Sequence, residues 1–126
     1  MGTVRTLLPA TKELAVHRLH EIGKHVAAAH GCEAEVRYED GYPVTANDPG
    51  AVDIFNEVAC DTVGSANVLD MELPVMGGED FSFYCQKVPS CFFRLGLLGS
   101  GRDSMPSLHH PAFDFNDDAI ATGVQM

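Results

Sequence analysis

His109 and His110 are the side chains best suited to chemistry. A histidine beyond an apolar run, followed by Pro111 and with carboxylates nearby, can ligate Zn²⁺ through one ring nitrogen while a neighbour holds the other. One histidine pair falls short of the three or four ligands a zinc site takes, so a loop histidine making ordinary hydrogen bonds is the alternative. Gly77-Gly78 precede Glu79 and Asp80, and such glycines let a ligand approach the main chain. The two carboxylates could bind a substrate amine or position a water, or simply stabilise the first turn of a helix. Arg5 could hold a carboxylate bidentately or be a surface charge on an edge. His17, His20, His25 and His30 lie along the first helical pattern. His17 and His20 share a face, but with no carboxylate or cysteine at matching positions they read as solvated and take no role. No Gly-rich phosphate loop, serine elbow or cysteine nucleophile context is present.

The elements that must position these residues follow from periodicity. Gly2 to Leu8 reads as a strand through Thr3, Val4 and Thr6. Pro9 suits the first position of an amphipathic helix with Leu14 or Ala15, Leu19, Ile22, Val26 and Ala29 on one face, ended by Gly31. Glu33 to Glu39 alternates, with Ala34, Val36 and Tyr38 on one side and charges on the other, predicting a second strand and hence an open-faced α/β layer. Turn residues from Asp40 to Pro49 mark a module boundary, and Asp48-Pro49 cap a second helix that stops at Gly64. Strand-like pieces occur around Val68-Leu69 and Leu73. After Gly78 a helix is expected with Phe81, Tyr84, Cys85 and Val88 on its buried side, ended by Pro89. Cys91 to Leu95 lacks alternation, as does a strand covered on both faces. Gly96 to Pro106 reads as loop, and Asp114 or Asn116 as the cap of a last helix.

The chain has 126 residues, enough for one domain with its own core. Eight Lys plus Arg against 18 Asp plus Glu give a net charge of -10, which repels polyanions, so nucleic acid and anionic membranes are not expected partners. No apolar tract long enough to span a membrane and no signal-like N-terminus is visible. Cys32, Cys60, Cys85 and Cys91 have no Cys-x-x-Cys spacing, so the expected location is a reducing cytoplasm.

Taken together, Gly2-Thr3-Val4-Arg5-Thr6, Glu39-Asp40-Gly41-Tyr42-Pro43, Asn47-Asp48-Pro49, Met76-Gly77-Gly78-Glu79-Asp80-Phe81 and Leu108-His109-His110-Pro111-x-Phe113-Asp114 resemble the C-terminal part of the aminoacylase/carboxypeptidase metallohydrolases. The nearest branch holds hippurate hydrolase, N-acyl-amino-acid amidohydrolases and auxin-conjugate hydrolases. The resemblance implies an α/β (α+β) fold. Residues 1–44 would be part of a strand-helix-strand lid that also dimerises, and 45–126 the C-terminal part of an α/β zinc-hydrolase catalytic domain. It implies two divalent metal ions, Zn²⁺ or in some members Mn²⁺, with His109 as the last ligand and His110 outside the coordination sphere. It also implies a small-molecule N-acyl amino acid substrate, with Gly78 and Glu79 lining its pocket and Arg5 contacting its carboxylate. In that family a metal-bound water attacks the amide after losing a proton to a glutamate. The remaining ligands and that general base have no counterpart in this sequence, so no catalytic residue is assigned. The expectation is a truncated amidohydrolase, inactive alone and prone to self-association, or else a short protein that keeps the fold for binding or dimerisation.

Overall fold

In the computed structural model, which describes residues 1–126, the regular elements are all helical. Helix α1 runs Pro9–Ala29. Leu8 precedes it in extended conformation and offers no side-chain cap, so Pro9, which has no N–H to satisfy, is well placed at the start. The helix closes through Gly31, whose φ of 68° lets its N–H reach Ala28 O while the Cys32 N–H reaches Ala27 O. Helix α2, Pro49–Val63, is capped by Asp48, whose Oδ1 accepts from the Ala51 N–H at 3.0 Å. It ends at Gly64, followed by a 3₁₀ turn at Ser65–Asn67 whose Asn67 amide donates back to Val63 O. Two short helices complete the set, α3 at Ser82–Cys85 and α4 at Ala119–Gln125.

The strands expected at Gly2–Leu8, Glu33–Glu39 and Cys91–Leu95 are absent, and with them the α/β class, the strand-helix-strand lid and the α/β catalytic sheet. The reason lies in what a strand requires. Alternation and β-branching prepare a chain for a sheet, but the sheet exists only when a neighbouring backbone completes the hydrogen-bond ladder. Residues 2–7 and 33–46 have no such neighbour, since no backbone-to-backbone hydrogen bond involves them.

The chain divides into two compact units, Met1–Ala46 with Glu72–Lys87, and Asn47–Met71 with Val88–Met126. Within the first, the 33–39 segment lies against α1 where Gly23 leaves room: a Cβ there would stand 2.7 Å from Val36 Cγ2. The expected apolar stripe of α1 stays largely open, with Leu14, Leu19, Ile22 and Val26 all exposed. Helix α3 is shorter than the pattern predicts. Phe81 and Cys85 are half-buried, while Tyr84 and Val88 are exposed.

In the second unit, α2 supplies the one buried apolar residue, Ala59. Its Phe55 ring stacks on Phe93 with centroids 4.3 Å apart. Helix α4 packs on α2, and its Gly123 lies so close to Leu95 that a Cβ would meet Cδ2 at 3.2 Å. Asn47 holds the 90–93 segment in place. Its carboxamide donates to Phe92 O at 2.9 Å and accepts from Phe92 N at 2.8 Å, while the Asp48 N–H donates to Ser90 O. A side-chain amide thus pairs with both backbone groups of one residue, as a strand backbone would.

Candidate functional site

The first unit brings two of the sequence-predicted residues together. Arg5 and Gly78 are far apart in the chain, yet a Cβ built on Gly78 would stand 3.2 Å from Arg5 Nη1. It would also stand 3.2 Å from Cδ2 of Tyr42, so the missing side chain is what lets guanidinium and phenol ring close on the same stretch of backbone. Tyr42 in turn meets Phe83 of α3 edge to face, at 5.9 Å and 82°. The sequence marked Tyr42 only as part of a turn motif, and Phe83 not at all. Neither a period nor a motif signals a ring pair assembled from separate segments.

Glu79 is half-buried and turns back on its own chain. Its Oε1 faces the Phe81 N–H at 3.4 Å and its carbonyl accepts from Ser82 N, the behaviour of a carboxylate settling the start of a short helix. Ser82, whose N–H makes that bond, is fully buried with its hydroxyl lacking any hydrogen-bond partner. Arg5 has neither an ion-pair nor a hydrogen-bond partner, although the chain carries 18 acidic residues.

His109 belongs to the second unit. It is exposed, its ring is free of hydrogen bonds, and it is the sole non-glycine residue with positive φ, at 70°. That region costs an L-residue roughly 1–2 kcal/mol, so the local turn holds a histidine where glycine would sit more easily. His110 is committed to the turn itself: its Nδ1 accepts from the Ala112 N–H at 3.1 Å and its carbonyl from Phe113 N. No group of three or more His, Cys, Asp or Glu side chains is placed to hold a metal ion. The residues of this chain therefore do not by themselves make up a metal site.

Along α1, Glu21 pairs with Arg18 and with His17, one of the histidines that spacing alone reads as solvated. Arg18 Nη1 lies 2.7 Å from Glu21 Oε2, and His17 Nε2 lies 3.3 Å from Oε1, one turn away. The Arg18 hydrogen bond, helped by His17 and His25, holds the Glu21 carboxyl below its ordinary range. The i, i+4 spacing of His17 and Glu21 was available in the sequence as a signal. Elsewhere Asp40 is lowered, and Lys12 raised, by their mutual hydrogen bond at 2.8 Å.

A profile of the peptidase family M20/M25/M40 matches residues 5–126. A Bacillus subtilis protein named as an amidohydrolase is 33% identical over 126 residues, covering 100% of this chain and 32% of its own length. A Sinorhizobium fredii hydrolase is 37% identical over 125 residues, with 99% and 30% covered. An IAA-amino acid hydrolase of Arabidopsis thaliana is 30% identical over 129 residues, with 99% and 29% covered. The chain thus spans about a third of the length of the curated relatives it matches. No solved structure matches it.

Proposed function

The chain belongs to peptidase family M20/M25/M40, and from that membership we propose that it supplies the C-terminal part of an amidohydrolase cleaving the amide bond of N-acyl amino acids or small peptides. The observation that carries the reading is the match itself: relatives named as hydrolases align with nearly every residue of this chain. The family is generally metal-dependent, and zinc, or manganese in its place, is the proposed metal. His109 is its proposed ligand here, on an exposed turn with both ring nitrogens unengaged. The other ligands and the general base would have to come from residues outside this chain, so no step of the reaction is assigned to it.

What the chain itself would do is hold the substrate. Arg5 is proposed to grip the carboxylate of an N-acyl amino acid, with Gly78 letting the guanidinium lie against the backbone and Glu79 fixing the turn that carries it. Residues 1–44 are proposed as part of a lid and dimerisation domain, and 45–126 as part of a catalytic domain. A homodimer, a cytoplasmic location and a small-molecule substrate complete the reading, with neither nucleic acid nor membrane as partner. No helix is long and apolar enough to cross a membrane.

The test uses the isolated chain beside a chimera in which it replaces the corresponding third of the Bacillus subtilis relative. The isolated chain should bind zinc weakly by calorimetry and leave N-acetyl amino acids uncleaved. The chimera should hydrolyse them and lose at least about 100-fold in kcat when His109→Ala removes a ligand. Tight stoichiometric zinc with turnover by the isolated chain, or a chimera indifferent to His109→Ala, would overturn the assignment.

A further inference from the structure

We infer that Tyr42 and Phe83 form an aromatic wall beside the Arg5 guanidinium, making this subsite selective for a carboxylate attached close to an aromatic ring. The inference rests on the proposed hydrolase only in taking an N-acyl amino acid as the form in which such a group arrives. Three observations converge within the first unit.

The first is an unclaimed cation. Arg5, like Lys24, Lys87, Arg94 and Arg102, pairs with none of the chain's acidic side chains, while Lys12, Arg18 and Arg37 each do. A guanidinium presents a planar fork that matches a carboxylate in two parallel hydrogen bonds, and here that fork is vacant. The second is distance. Arg5 Nη1 and Tyr42 Cδ2 each lie 3.2 Å from the point a Gly78 Cβ would occupy, so they are no further apart than about 6.4 Å. That is the scale on which a cation and an aromatic face cooperate. The neighbouring substituent of a carboxylate held by the fork is then within reach of the phenol ring.

The third is a pair of wet rings. Tyr42 is 58% exposed and Phe83 is 53% exposed, although they meet edge to face. Edge-to-face packing leaves a free ring face, and a third ring can stack on it in the offset arrangement that aromatic pairs prefer. The open face of α1 differs in kind: Leu14, Ile22 and Val26 offer apolar area with no directional group among them. Charge and ring faces occur together over one glycine, the combination that recognises a small molecule carrying both an anion and a ring.

The experiment is a titration of the full 126-residue chain, followed by NMR, with N-acetylphenylalanine, N-acetylalanine and N-acetylphenylalaninamide. The phenylalanine acid should bind about two- to tenfold more tightly than the alanine acid, the range an added aromatic contact supplies. The amide, which lacks the anion, should bind more weakly than either. Tyr42→Leu should abolish the preference and Tyr42→Phe should keep it, with far-UV circular dichroism confirming that both variants retain their helices. Equal dissociation constants for the two acids, a preference that survives Tyr42→Leu, or no binding of any of the three at about 10 mM would overturn the inference. Binding is read here without turnover. An aromatic preference in a chain whose chimera fails to hydrolyse would refute the hydrolase alone, and hydrolysis without the preference would refute the wall alone.

Discussion

Ser82 is the residue whose place in the structure is hardest to reconcile with its chemistry. It is fully buried, its hydroxyl meets no partner, and an unsatisfied buried hydroxyl costs about 1–3 kcal/mol. Ser82→Ala removes the orphan and leaves the backbone bond to Glu79 O intact, so in the chimera described above the unfolding free energy read from urea titration should hold or rise by up to about 1 kcal/mol. A loss of stability beyond about 1 kcal/mol would mean that the hydroxyl has a partner, such as an ordered water, and that the Gly78 turn depends on it. At this scale the sequence was partly legible. Arg5 and Gly78 were singled out for their chemistry, and the structure sets them side by side. Tyr42 and Asn47 enter the sequence only inside turn motifs and Phe83 in none, because their roles are relations between segments. The carboxamide of Asn47 reaches Phe92, 45 positions on, and no local pattern announces such a pair.

Among the elements, those specified locally were readable and those specified by pairing were not. The Asp48-Pro49 start and Gly64 stop of α2, and the Pro9 start and Gly31 close of α1, follow from capping chemistry contained within a turn of helix. The 33–39 segment has the alternation of a strand but lies against Gly23 without a ladder partner, because a sheet needs backbone that local pattern cannot provide. Helix α1 also carries a testable pH dependence. Glu21 has its carboxyl lowered in the folded helix, first by Arg18, so its contribution is present above the unfolded value and fades as pH falls through the folded one. Comparing wild type with Glu21→Gln cancels the general effect of protonating the other carboxylates. At pH 7 and low salt the variant should be less helical at 222 nm, and once acid has protonated the folded-state Glu21 the two should coincide. A difference that persists unchanged at acid pH would mean that Glu21 acts through packing rather than charge.

For the whole molecule the decisive quantity is surface. Each unit leaves large apolar side chains open, among them Leu14, Ile22 and Val26 in one and Ile120 and Val124 in the other. Faces of this kind fit burial against further protein, in line with the proposed longer hydrolase, of whose relatives this chain spans about a third. The expected consequence is measurable with the isolated chain at micromolar concentration. It should bind a hydrophobic dye, unfold over a broad denaturant range, and show a light-scattering mass that climbs with concentration above 13.6 kDa. The chimera proposed above should lose the dye signal and settle at one discrete mass. A dye-free, sharply unfolding 13.6 kDa monomer would require the exposed faces to be covered by the chain itself, and the case for a larger hydrolase would then rest on sequence similarity alone.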